Sequence, residues 1–538
     1  MTGRRGINKT TRNLALVFSA VILTGTVSGC RVSNDEIHGW AQKKSGPKKL
    51  TAVLTHDKYP LDLRVEAALT LATMKPRGGR AVGLLGEDGA VGLLDSLASL
   101  TSARREQVIA GMVPRLVEGM QKERPEGAAD PTIPYKDATF ALLSHDGGSL
   151  ITSPEAKAEL EKALIAWCQT DFEQRFDDTS QLYGVEQVLR LLRAEGARHL
   201  PNLLSADFKH VAAVSNLVHE LGDDATQLEA SKRLVAIATF VDSPEWTKQK
   251  EEGVRAANKA SGLTVTDKQF EKQLEAYQEE EIVRVFGAMK TVGRAPITEY
   301  LIAYAKNEEK GESRRAAALA ALEGNLDRKN PDHATFALDF LSNEKAPNTL
   351  RDLAARRVGE LPREQVSTRL YALFSNARWQ VRWTAASLLL KMSEAKHLPE
   401  FMGELGKVKQ MALSEPLSYG PLLHDVKGED PTAVVARYAG SSNPVPVRLS
   451  ALGYYYAYGD SRDAASLEQY TKDTAKVPAC PPKAEACEWQ CVITEKDKED
   501  KDVRVAKNVQ TVGDYVRYCI LPSLTSRTPE SAQPEATP

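Results

Sequence analysis

The chain has little of what usually marks an enzyme. It holds 9 His, 6 Cys and 6% aromatic residues in 538, and the histidines are scattered without metal-ligand spacing. His219-Glu220 is followed by Leu221, Gly222 and Asp223, so there is no HExxH zinc helix. No GxSxG elbow occurs. Ser45 to Lys48 and Ser393 to Lys396 match SxxK by count alone, with no KTG to support them. Gly86, Gly89 and Gly92 form GxxGxxG, which is neither a phosphate loop nor a dinucleotide fingerprint. Asp223-Asp224 is a turn pair, so no glycosidase carboxylates stand out. No catalytic residue, metal ligand or cofactor is therefore assigned. A formal charge of −2 gives no general attraction to nucleic acid.

Alanine and leucine recur throughout, and 42% of residues are hydrophobic. A chain this long exceeds one compact core, and its balance suits stacked helices better than sheets. Ser153-Pro154-Glu155 and Ser243-Pro244-Glu245 each place an N-cap serine before a proline at the first helical position. Thr266-Asp267-Lys268-Gln269 reads as a capping box, and Gly222 as a helix stop. The charged stretch from Pro244 to Glu281 is either a protruding hairpin or a solvated face.

At the N-terminus, Arg4, Arg5, Lys9 and Arg12 precede an apolar run from Leu14 to Leu23. That run is shorter than the roughly 20 residues a spanning helix needs. It ends in Leu23-Thr24-Gly25-Thr26-Val27-Ser28-Gly29-Cys30. This arrangement resembles the signal peptide and lipobox of bacterial lipoproteins. The resemblance implies cleavage after residue 29, lipidation of Cys30 with fatty acyl chains such as palmitate, and membrane attachment in the cell envelope. Arg31 in place of Asp favours the outer over the inner membrane. Residues 30–48, with Gly39, Gly46 and Pro47, are expected to be a tether.

Residues 49–473 read as helical hairpins. Leu50, Val53 and Leu54 mark a first helix, residues 57–60 a break, and Val65, Ala68, Leu69 and Leu71 a second. Leu63-Arg64, Val381-Arg382 and Val447-Arg448 each precede an alanine- or leucine-rich run. This pattern resembles HEAT repeats, most clearly from Arg369 to Met392 with Asn376 in the turn, and in degenerate form at Glu312 to Ala317. The resemblance implies an all-α fold, an α-solenoid of HEAT-like hairpins, with the arginines reaching a carbonyl or acid of an adjoining repeat.

Beyond Pro478, Pro481 and Pro482, the cysteines Cys480, Cys487, Cys491 and Cys519 cluster. Their C-x6-C-x3-C spacing lacks the close pair of a zinc site and suits two disulfides, with three connectivities possible. Residues 474–522 are then a small cysteine-rich module, Glu495 to Lys507 an exposed loop, and 523–538 a disordered tail. Cys168 lies in an apolar helix and reads as a core thiol.

Trp379, Arg382 and Trp383 form one candidate partner surface, and Arg448, Tyr454, Tyr455 and Tyr458 another, because Trp, Tyr and Arg dominate interface hot spots. The resulting expectation is a lipid-anchored envelope scaffold that binds a protein partner through a solenoid surface, without nucleic acid. The alternative is an envelope enzyme or ligand-binding receptor with its site in or near the cysteine-rich module.

Overall fold

The computed structural model describes residues 32–525, apart from 78–79, 88–90, 126–127, 429, 481–487, 497 and 499. Cys30, Cys487 and the lipobox-like stretch lie outside these residues, as does 526–538. The protein is all-α in class, built from HEAT-like helical hairpins, with one two-stranded sheet among the described residues. It divides into two compact units, residues 1–192 and 193–538. Arg193, at the boundary, interrupts its helix with φ 53°.

In the first unit, helix Gly46–Thr55 pairs with Leu61–Ala72. The latter packs on Ser102–Met120, which in turn meets Pro154–Gln169. Leu50, Leu54, Ala67, Ala68 and Leu71 are fully buried between them. Each buried leucine contributes roughly 1.5–3 kcal/mol relative to exposure. Small alanines on Leu61–Ala72 let that helix be covered on several sides.

The second unit repeats the logic. Helices Asp267–Val292, Glu312–Ala321, Asn348–Gly359, Trp379–Lys391, Ser414–His424 and Val445–Tyr458 form a row in which each packs on the next. The closest crossing joins the last two. A Cβ on Gly420 would lie 2.1 Å from the backbone carbon of Gly453, and one on Gly453 would lie 2.1 Å from the Pro416 oxygen. Only glycine permits that approach.

The expected caps are present. Ser153 Oγ accepts from Ala156 N at 3.2 Å, and Ser243 Oγ accepts from Trp246 N at 3.4 Å. Thr266 and Gln269 close a reciprocal capping box. One helix ends at Leu221, immediately before Gly222. Pro244–Ala260 and Asp267–Val292 are two long helices joined by a turn at Gly262, φ +68°, and Leu263 in that turn is exposed.

Three expectations are corrected. The stretch expected as a tether contains a helix, Asn34–Trp40, because Ser33 and Glu36 form a capping box and Ile37 is fully buried. Arg77 fastens the chain beyond it by donating to the carbonyls of Ala41, Lys43 and Lys44. The charged stretch expected as a loop is a hairpin of strands Gln490–Lys496 and Asp502–Asn508, with Ile493 opposite Val505. Its charges alternate with Val503 and Val505, and that period of two makes strands. The expected tail begins later than residue 523, since Leu524 is fully buried in helix Leu521–Thr525.

The cysteine-rich module closes the end of the helical row. Tyr515, Val516, Ile520 and Leu524 are fully buried, and their helices pack against Val445–Tyr458. Cys491 in the first strand is bonded to Cys519, with Cα atoms 5.4 Å apart. Cys480 is also disulfide-bonded. Trp489 Nε1 donates to the Met411 carbonyl at 3.1 Å. The Cys491–Cys519 bond spans 28 residues, which corresponds to about 3–4 kcal/mol in the chain-entropy account. Cys519→Ser should lower the midpoint of a denaturant-induced transition followed by tryptophan fluorescence, and dithiothreitol should shift the unsubstituted protein further than the variant, which keeps only the disulfide of Cys480. Equal midpoints would refute a stabilising role.

Candidate functional site

The sequence-selected arginines are structural. Arg382 is 2% exposed and engages Glu415, itself 1% exposed, through a two-pronged ion pair whose Nε–Oε2 distance is 2.9 Å. It also donates to the carbonyls of Asn376 and Ala377. Glu415 further accepts from Ala412 N at 2.7 Å and from the Tyr419 hydroxyl at 3.0 Å. Arg448 is buried and paired with Asp473. Neither guanidinium is available to a partner, which corrects the surface expected around them.

The aromatics separate by role. Trp383 is exposed and Trp379 half-buried. Tyr454 is buried, while Tyr455 and Tyr458 are half-buried. Tyr458 stacks on His424 with ring centroids 4.3 Å apart, and Tyr454 lies 5.4 Å from Tyr458. This is packing between neighbouring helices. The tryptophans stand on a helix separated from the tyrosines by Ser414–His424, so they do not form one patch through that row.

A cavity absent from the sequence reading lies in the first unit. It measures about 820 Å³ and is bounded by helices Asn34–Trp40, Leu61–Ala72 and Ser102–Met120, the loop at 74–77, and Tyr135. Its volume falls in the range of about 300–1,000 Å³ typical of ligand clefts. Thr70, Leu69 and Met74 form buried parts of the lining. Gly119 lets the Tyr135 ring lie against the helix backbone, since a Cβ there would come within 2.1 Å of the ring.

Glu66 anchors the polar side of this groove. It is 8% exposed, with His38 Nε2 2.5 Å from one carboxylate oxygen and Arg115 Nη1 3.2 Å from the other. Burial pushes its pKa up, but the hydrogen bond with His38 and the charge and hydrogen bond of Arg115 outweigh that, leaving it below the ordinary value. The carboxylate is thus held ionised and occupied. Around it, Arg115 and His38 are more than half exposed as side chains, and Lys75 and Glu118 are exposed. Lys122 Nζ donates to the Tyr135 hydroxyl at 2.9 Å. The signal available beforehand was Glu66 itself, a lone carboxylate within the apolar run Val65 to Leu69.

A second polar cluster is sealed. Lys136 has no exposed surface. Its ammonium lies 2.6 Å from Asp137 Oδ1 and donates to Gln181 Oε1 and the Tyr183 carbonyl. Burial draws its pKa down against the opposing charge of Asp137. Arg175 pairs with buried Asp130, and Trp167 Nε1 donates to Thr132 at 2.7 Å. Cys168 beside them is buried with its pKa raised to about 12 by burial, a core thiol as expected. These groups fasten the segment 171–184. Among the described residues no cluster of three or more His, Cys, Asp or Glu could hold a metal.

No family model and no curated protein matches the chain. Solved structures of Kap121p do. The karyopherin Kap121p bound to the extreme C-terminus of the protein phosphatase Cdc14p is 13% identical, covering 80% of this chain and 44% of its own, at a TM-score of 0.30. Kap121p alone is 14% identical over 81% and 43%, at 0.29. Kap121p bound to Pho4p is 13% identical over 80% and 43%, at 0.30. The chain thus matches less than half the length of these proteins. The lipid-anchored cell-envelope location expected from the sequence, with the outer membrane favoured, is corrected here: the solved structures found to be similar are karyopherins, and that location is withdrawn. Among the described residues no helix is long and apolar enough to cross a membrane.

Replacing Arg382 by Ala should cost about 3–5 kcal/mol in denaturant unfolding, because Glu415 is left buried without its cation. Trp383→Ala should stay within about 0.5 kcal/mol. Equal effects would show that the arginine is not the structural member of the pair.

Proposed function

We propose that this chain is a non-catalytic helical-repeat scaffold that binds a protein partner, with the groove of its first unit as the contact surface. The observation that carries the proposal is the division of labour around Glu66. The acid at the side of the groove is consumed by His38 and Arg115, while Arg115, Lys75 and Lys122 present exposed cationic groups at its rim. Such a surface is suited to recognition, since its one buried carboxylate is already bound on both oxygens. The cysteine-rich module supports the same reading, for its buried side chains serve as the end of a helical stack.

A photo-crosslinking residue in place of Gln42, which lines the groove and is exposed, should yield a discrete protein adduct in cells of the source. The same residue at Gln249 should not. No adduct from position 42, or the same adducts from both positions, would end the proposal.

Processing at the N-terminus is a separate proposal that attaches no location. Val27-Ser28-Gly29-Cys30 would be cut before Cys30 and the cysteine acylated. The mass of the mature N-terminal peptide should show acyl groups on Cys30. An intact start at Met1 would refute it.

A further inference from the structure

We infer that the groove of the first unit takes an acidic, extended peptide segment. The inference rests on the partner-binding reading above and names the chemistry of the bound segment.

Its first support is charge. The lining contains Lys75, Arg77, Arg115 and Lys122 against Glu66 and Glu118, although the whole chain carries a formal charge of −2. Not all of these are available. Arg77 is committed to three backbone carbonyls, and Glu66 is neutralised in place by His38 and Arg115. What remains toward solvent is Lys75, the ammonium donors of Lys122 beyond the one given to the Tyr135 hydroxyl, the Nε and Nη2 donors of Arg115, and Glu118. The uncommitted groups are therefore mainly cationic, and carboxylates complement them through charge-assisted hydrogen bonds.

The second support is placement. Arg115 and Glu118 lie one turn apart on Ser102–Met120 and share a face, and Lys122 follows just beyond the end of that helix. An extended segment along this edge sets carboxylates against the cations, while Glu118 tolerates a neutral or basic side chain and repels a further acid.

The third support is the wall. The Tyr135 ring is pressed onto the backbone at Gly119, with Lys122 Nζ 4.5 Å from the ring centroid. Tyr135 and Pro76 both line the groove and give it apolar surface. Aromatic borders of this kind suit segments preordered by proline, which lose little entropy on binding.

The test uses the full chain and fluorescein-labelled ten-residue peptides read by fluorescence anisotropy. One peptide repeats Glu-Pro-Pro and ends in Glu; the second has Gln at each Glu position. The Glu peptide should bind about tenfold more tightly or better, the scale of one charge-assisted hydrogen bond, and should weaken with added salt. Lys75→Ala combined with Lys122→Ala should remove most of that preference, and circular dichroism should show the fold unchanged. Equal affinity for the two peptides, or an unchanged preference in the double variant, would overturn the inference. So would tighter binding of a single-stranded oligonucleotide of equal charge at the same residues. If the Gln42 adduct persists in the double variant, the acidic-segment chemistry fails while partner binding stands. If the unsubstituted chain gives no adduct at all, the broader reading fails first.

Discussion

Each helix leaves its last carbonyls without partners of its own, and in this protein arginines from neighbouring helices answer them. Arg64 donates to Leu54 O at 3.1 Å, and Arg315 donates to Ala305 O at 2.8 Å. Arg382 serves Asn376 and Ala377, and Arg357 reaches Ala320 O at 3.3 Å. Arg64 and Arg315, each on the second helix of a hairpin, meet the negative end of the helix before, where the helix dipole also favours positive charge. Arg382 does so at the turn before its helix, and Arg357 reaches back to the preceding hairpin. The hairpin angle, and hence the row of helices, depends on that latch. It also explains why these arginines are poor candidates for ligands: each is held in place on the backbone of a neighbouring element.

Local chemistry was therefore legible where it is repeated. The Val-Arg openings, the capped serines at Ser153 and Ser243 and the box at Thr266 could be recognised from a few adjacent residues, because capping acts across one turn. Features assembled from distant segments were not. His38, Glu66 and Arg115 come from three elements, and nothing in their spacing announces that they meet. Lys136 reads as an ordinary surface lysine until Gln181 and Tyr183 fold over it. Asn34–Trp40 was overlooked because Ile37 is its one fully buried apolar side chain, too little to produce a visible period. The hairpin at Gln490 to Asn508 was hidden by charge density that outweighed its alternation.

The groove follows from the same construction. Leu61–Ala72 and Ser102–Met120 approach where Gly111 faces Val65, while Asn34–Trp40 lies against the former. Placing a carboxylate at Glu66 inside this packing requires cations beside it, for an isolated buried charge is costly. Arg115 thus carries two burdens, balancing Glu66 and presenting its remaining donors outward. A binding surface arises here from the electrostatic needs of the fold.

The clamp between Cys491 and Cys519 alters how the second unit can come apart. A stack of hairpins joined only to nearest neighbours can shed its terminal members singly, since each release breaks one interface. Here the last layer is tied by a covalent cross-brace to a strand that is itself hooked to Met411 through Trp489. The end can leave only as a block, with several interfaces failing together. A protease acting on this block meets a cooperative threshold.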